Sequence, residues 1–268
     1  MELVTFTYEA DETYKIYEAH GNRDAPLLVF LHGGGAGSWM WEKQVRYFTQ
    51  YRCLVPTLQG HGARSGGTFS IRGCAEELIG LIRLEAGGKA VHLVGFSLGA
   101  QIALEILGLA PTLINYAVID SALVIPMPVM RRLIAPSIRL THGLTRNRAF
   151  SKLQAEQLSI GKEYWESYYA DSKRLSADAL ITILQENMSY EIPRNFSSSE
   201  ARILVTAGEK EKRIMKQSAL TITASHPGAQ CLIVPGIGHG FSLAAPDLFN
   251  KTVESWFVTG EIPSFLFE

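Results

Sequence analysis

One hydroxyl in this chain stands where nucleophilic chemistry is readily built. The apolar, β-branched run Val91–Phe96 leads into Gly95-Phe96-Ser97-Leu98-Gly99, and the pattern turns helical at once. Strand, sharp turn and helix place Ser97 at the apex, facing the free N–H groups and positive dipole end of the helix. Gly95 and Gly99 suit such a turn, because strand and helix must pass close together there. Bare Gly-x-Ser-x-Gly also occurs at ordinary glycine-rich turns. The preceding strand, the following helix and the small residues Gly99, Ala100 and Ala103 set this one apart. A serine hydroxyl is a weak nucleophile at neutral pH and needs a base within hydrogen-bond reach, and the base needs an anion to fix its tautomer.

The elements that would position these groups follow from periodicity. Leu3–Tyr8 and Thr13–Ala19 alternate apolar and polar residues and read as an antiparallel hairpin at a sheet edge. Leu27–Leu31 is continuously apolar, as a strand covered on both faces should be. It runs into the loop His32-Gly33-Gly34-Gly35-Ala36-Gly37, and a helix is expected from Trp39 to Thr49. The strand Arg52–Val55, a glycine-rich loop at 59–67 and a helix over Ser70–Glu85 follow, then the Ser97 strand and its helix to Leu109. Tyr116–Ile119 is a further strand, ending at Asp120.

The rhythm breaks over Leu123–Ile192, which lacks a clean strand and carries amphipathic helical stretches, clearest at Ser159–Tyr169 and Ala177–Met188. It resumes after the linker-like Pro193–Ser199 with the strand Arg202–Thr206, a helix over Arg213–Ala224, the strand Gln230–Val234 and a helix over Pro246–Val258. Alternating strands and helices imply an α/β fold, a mostly parallel central sheet with helices on both faces. The expected division is a core in two parts, 1–122 and 196–268, with an inserted helical cap at 123–195. Ligands of such sheets sit beyond the carboxyl ends of the strands. His32, Ser97, Asp120, Gly208 and the loop before His239 all fall there.

Composition narrows the partners. A chain of 268 residues with a net charge of −1 gives no reason to expect nucleic acid, and 47% hydrophobic residues suffice for a core. The start of the chain shows no signal-peptide pattern, no stretch suits a membrane span, and the three scattered cysteines show no metal spacing. A cytoplasmic protein is expected, with a small-molecule substrate and neither metal nor organic cofactor.

Five pieces together resemble the α/β-hydrolase fold superfamily in its helical-cap branch: Leu31-His32-Gly33-Gly34-Gly35, Gln59-Gly60-His61-Gly62, Gly95-Phe96-Ser97-Leu98-Gly99, Gly208-Glu209-Lys210-Glu211 and Gly238-His239-Gly240. The resemblance covers nearly the whole chain and implies the order nucleophile, acid, base. It makes Ser97 the nucleophile and His239 the base. Related sequences usually carry an aspartate three residues past the glycine of Gly208–Glu211, where this chain has Glu211. Asp120 and Glu209 stand as the other candidates for the acid. For Glu211 the competing reading is a solvated face, since Glu209–Arg213 is a dense run of charge. The oxyanion of a tetrahedral intermediate would meet the backbone N–H groups of Leu98 and Gly34. A dinucleotide-binding loop does not fit, because Gly33, Gly35 and Gly37 miss the G-x-G-x-x-G spacing.

Of the other histidines, His61 is placed near the site in a shaping role, His92 inside the Ser97 strand, and His20, His142 and His226 on the surface or cap. Between Ser121 and Ala155 there is no Asp or Glu, yet Arg131, Arg132, Arg139, Arg146, Arg148 and Lys152 are present. A solvated face is the simpler reading of these, and steering of an anionic substrate the sharper one. Met127, Met130, Trp165, Tyr168 and Tyr169 are candidates for an acyl pocket or for packing of cap on core. The resemblance implies a serine hydrolase acting on a small carboxylic ester. The same groups would serve a thioester, lactone, amide or C–C bond, a perhydrolase, or a receptor that keeps the scaffold with vestigial turnover.

Overall fold

The computed structural model describes residues 17–65 and 68–263. Among these residues seven strands form one sheet: β1 (Tyr17–His20), β2 (Leu27–Leu31), β3 (Arg52–Pro56), β4 (Val91–Phe96), β5 (Tyr116–Asp120), β6 (Arg202–Gly208) and β7 (Ala229–Val234). Their order is β1-β3-β2-β4-β5-β6-β7, with β1 antiparallel to β3 and every other pairing parallel. The expected first hairpin strand, Leu3–Tyr8, lies outside the described residues, as does the start of the second. The rest of that second strand is β1, at the sheet edge.

Successive side chains of a strand point to opposite faces, so β2 feeds two cores at once. Leu27, Val29 and Leu31 pack with helices α2 (Ile71–Ala86) and α3 (Leu98–Leu109). Leu28 and Phe30 pack on the other face with Trp41, Phe48, Phe249 and Trp256. Ser70 caps α2 by accepting the Gly73 N–H at 3.0 Å, and its apolar stripe from Ile71 to Ala86 faces the sheet. The helix α3 is buried on all sides over Leu98–Gly108, in keeping with its nearly unbroken apolar sequence.

The helix expected over 39–49 is instead a 3₁₀ turn at Ser38–Trp41 followed by α1 (Glu42–Tyr47). Between β5 and β6 the chain leaves the sheet as α4 (Pro128–Thr141), a 3₁₀ segment at His142–Arg146, α5 (Arg148–Gln157), α6 (Trp165–Arg174) and α7 (Ala177–Ser189). The helix expected at Ser159–Tyr169 therefore starts later, at Trp165. Ser159 breaks the chain between α5 and α6 with a φ of 57°, and Ile160–Lys162 carries it across. The linker-like 193–199 segment contains the buried Phe196. The helices α8 (Arg213–Ala224), α9 (Phe241–Ala244) and α10 (Pro246–Thr259) complete the layers. The short α9, directly after His239, has no counterpart in the sequence reading. Among the described residues no helix is long and apolar enough to cross a membrane.

Candidate active site

Ser97 joins β4 to α3 with φ 52° and ψ −111°, a conformation costing a non-glycine residue of order 1–3 kcal/mol. Its surroundings hold it there: its N–H donates to Asp120 O at 2.8 Å, and its carbonyl accepts the N–H groups of Ala100 at 3.0 Å and Gln101 at 3.1 Å. The flanking glycines meet the steric need read from the sequence. A β-carbon on Gly95 would run into Gly99 O, and one on Gly99 into Leu31 O.

His239 follows β7 and presents Nε2 to Ser97 Oγ at 3.3 Å. Its Nδ1 lies 3.0 Å from Glu211 Oε2. With the ring proton on Nδ1, the ring donates to Glu211 and accepts from Ser97. The Phe96 ring packs against the imidazole, with centroids 4.9 Å apart. Glu211 is buried rather than part of a solvated charged face. Its second oxygen accepts the Ser121 hydroxyl at 2.6 Å and the Gly208 N–H at 2.8 Å. Burial pushes its carboxyl up, but the bonds from His239, Ser121 and Gly208 outweigh this and hold it below the usual carboxylate range. The loops bearing Glu211 and His239 are laced together: Glu209 N–H donates to Val234 O at 2.9 Å and Lys210 N–H to Ile237 O at 2.8 Å.

The two other carboxylates do not reach the histidine. Asp120 is fully buried, and its Oδ1 accepts the Thr206 hydroxyl at 2.8 Å. Among the described residues its Oδ2 has no hydrogen-bond partner. Burial pushes it up to about 7, against the pull of Thr206 and with the added repulsion of Glu211. Glu209 instead accepts the Gly236 N–H at 2.8 Å.

The loop after β2 lies against the Ser97 turn. A β-carbon on Gly33 would stand 3.7 Å from Ser97 Cβ, and one on Gly34 3.8 Å from Leu98 Cβ. Two buried histidines set its path. His32 donates from Nδ1 to Gly33 O at 2.9 Å and accepts the Leu58 N–H on Nε2 at 3.1 Å. His61 donates from Nδ1 to Gln59 O at 3.0 Å and accepts the Gly35 N–H on Nε2 at 3.0 Å. Each ring needs a bare Nε2, so each is neutral. Burial, reinforced by the neighbouring His61, pushes His32 down to about 3, and burial likewise lowers His61. Gly35 N–H is thereby engaged, while the N–H groups of Gly34 and Leu98 have no hydrogen-bond partner among the described residues.

The remaining histidines are structural. His92 is buried in β4 and stacks on Phe257 at 4.7 Å. His142 donates to Leu175 O at 2.9 Å within the helical insert. His226, expected at the surface, is buried between Ser199 O at 2.8 Å and the Gly228 N–H at 3.0 Å. His20 pairs with Glu18 at 3.4 Å on the edge strand.

The insert closes over this loop through residues that the sequence reading missed. Asp171 of α6 accepts the Trp39 indole N–H at 2.9 Å, and Tyr164 stacks on Trp39 at 5.7 Å. Ile183 of α7 is buried, with Cγ2 3.7 Å from where Gly34 would carry a β-carbon and Cδ1 3.2 Å from the same point on Gly60. Its place on the inner face of a helix that reads as amphipathic was the available signal. Of the residues weighed for an acyl pocket or for packing of cap on core, the three aromatic ones pack. Tyr168 joins a cluster with Ala155, Ile160 and Tyr164, Trp165 and Tyr169 stack under Arg148, and Met130 is exposed. Among the described residues no group of three or more His, Cys, Asp or Glu side chains is arranged to hold a metal ion.

Comparison with known proteins bears on the family. The chain is 25% identical over 97% of its length to an AB hydrolase superfamily protein of Gibberella zeae, covering 89% of that protein. It is 25% identical to carboxylesterase YbfK of Bacillus subtilis, over 90% of this chain and 83% of the other. The fold superposes on an enol-lactonase from Burkholderia xenovorans LB400 with a TM-score of 0.76 at 17% identity, covering 90% and 95% of the two chains. A model of the alpha/beta hydrolase family matches residues 28–252, spanning the parallel strands, the Ser97 turn, the helical insert and the His239 loop. With most of the chain inside that match, the protein belongs to the alpha/beta hydrolase family.

Proposed function

We propose that the protein hydrolyses a small carboxylic ester through an acyl-enzyme formed on Ser97. The carrying observation is the unbroken line from Ser97 Oγ to His239 Nε2 at 3.3 Å and from His239 Nδ1 to Glu211 Oε2 at 3.0 Å. Oγ attacks the ester carbonyl carbon while His239 takes its proton. Glu211 holds the ring in that tautomer and stabilises the imidazolium. The N–H groups of Gly34 and Leu98 receive the developing oxyanion, and His239 returns its proton to the departing alcohol. A water molecule, deprotonated by His239, then releases the acid and restores the serine.

Several features support this reading. Free N–H groups at Gly34 and Leu98 suit a developing negative charge. The carboxylesterase among the relatives favours an ester. Ile183, over the Gly34 loop, favours a small acyl group, with residues 123–195 acting as the cap. The unpaired Cys53, Cys74 and Cys231 favour a reducing compartment such as the cytoplasm.

The test is a panel of p-nitrophenyl esters, thioesters and lactones of graded acyl length, run on the wild type and on Ser97→Ala. Turnover favouring short esters, lost with Ser97, is expected together with labelling of Ser97 by a fluorophosphonate. Labelling without turnover of any member would overturn the hydrolase reading in favour of a receptor.

A further inference from the structure

The helix α4 carries an apolar stripe that nothing among the described residues covers. Val129 is 69% exposed, Leu133 51% and Leu140 85%. Pro136 is exposed between them. At 100° per residue these four side chains fall within an arc of about 60°. The opposite side of the helix bears the buried Ile134 and packs on α7. Isolated exposed apolar residues need no explanation, whereas an aligned row of them along one helix marks a surface that meets a partner.

Charge selects the partner. Arg132 and Arg139 project from one flank of the stripe, about 40–60° beyond its edge. Arg131, Arg132, Arg139 and Arg146 are all exposed, and none forms an ion pair among the described residues. No carboxylate occurs from Ser121 to Ala155 to offset them. A second copy of the chain meeting this stripe about a two-fold axis would bring like charges together. A surface both apolar and anionic satisfies stripe and flank at once. We propose that α4 docks in the plane of an anionic phospholipid surface, burying Val129, Leu133 and Leu140 among the acyl chains while the arginines meet the phosphates.

Docking there has a local consequence. The helix α4 packs on α7, and α7 places Ile183 against Gly34 and Gly60. The bound membrane would thus lie one helix away from the loop beside Ser97. The docking surface does not depend on the hydrolytic reading, because none of its residues touches Ser97, His239 or Glu211.

The test is co-sedimentation of the full chain with phosphatidylglycerol vesicles and with phosphatidylcholine vesicles. Binding to the anionic vesicles alone is expected, reversed by high salt. At about 1 kcal/mol per basic residue near the surface, Arg132→Gln with Arg139→Gln should weaken partitioning about 30-fold. Leu133→Ser with Leu140→Ser should remove it. Both pairs lie on the surface, so unchanged thermal midpoints would show that the fold is intact. Equal binding to both lipids, binding unaffected by the substitutions, or no binding would overturn the proposal. So would a concentration-dependent dimer, without vesicle binding, that Leu140→Ser abolishes.

Discussion

Glu211 meets the His239 ring at 3.0 Å through the one carboxylate oxygen that its other two bonds leave free. The extra methylene of a glutamate, relative to the aspartate usual in similar sequences, lets the acid cross from its own loop while Ser121 and Gly208 hold the other oxygen. Asp120 stands close behind, but its Oδ1 accepts the Thr206 hydroxyl and no hydrogen bond joins it to the ring.

This arrangement separates the two carboxylates by experiment. Glu211→Gln replaces an acceptor by an amide that favours the wrong ring tautomer, and kcat/KM for a p-nitrophenyl ester should fall by about 10³–10⁴. Asp120→Asn should cost less than about tenfold, since it removes no bond to His239. Equal losses would show that Asp120 shares the role of the acid.

Ser97 should carry a measurable strain. With φ 52° and ψ −111°, any β-carbon there is disfavoured. Ser97→Ala and Ser97→Gly should both be inactive, yet the glycine variant should be the more stable by about 1 kcal/mol. Calorimetry should therefore place its midpoint about 2–4 °C higher.

His61 should matter for turnover without touching substrate. Its Nε2 engages the Gly35 N–H and so fixes the loop that carries Gly34. His61→Ala should lower kcat by about 10–100-fold, less than removal of the nucleophile, because the loop loses its anchor but keeps its donors. KM should change little. Glutamine at the same position, with a carbonyl able to accept that N–H, should restore part of the rate.

Stability should decline on acidification. His32 titrates near 3 when folded against an ordinary value of 6.5, so its contribution is fully present above pH 6.5 and is lost as pH falls toward 3. His61, lowered by burial, and His92, pushed by burial down to about 4, act in the same direction. Asp120, pushed by burial up to about 7 from 3.8, opposes them: its contribution is present below pH 3.8 and is lost as pH rises through 7. Glu105, raised by burial, opposes them as well, so with three histidines against two carboxylates the thermal midpoint should fall between pH 6.5 and 4.5. His92→Leu should flatten that fall, and an unchanged slope in this variant would remove His92 from the account.

Ile183 should set acyl length. Replacing it by alanine opens space over Gly34 and Gly60, so kcat/KM should shift from short toward longer acyl esters. Stability should drop by about 2–5 kcal/mol, since the side chain is buried. An unchanged acyl profile in a folded variant would take Ile183 out of the substrate's path.

The sheet and the candidate catalytic groups are legible because their signals are local. An apolar run ending in glycine and serine marks the Ser97 turn, and a glycine-flanked histidine after the last strand marks His239. The residues that finish the site act through space. Ser121 reaches Glu211 only because β5 and β6 are neighbours in register, Asp120 opposite Thr206. Ile183 arrives from a helix whose sequence shows an inner face but not what that face covers. Within the insert, the tyrosine-rich stretch at 164–169 blurred the start of α6. Its helical pattern extended back through a turn that only the φ of Ser159 reveals.

Ser97 precedes the helical insert, whereas Glu211 and His239 both follow it on loops stitched to each other. Glu211 and His239 therefore sit on one length of chain, and the 3.3 Å gap from Nε2 to Oγ is a seam between two lengths. A slip of an ångström there would part Ser97 from the imidazole, and Ser121, on the same length of chain as Ser97, would pull at Glu211 as it moved.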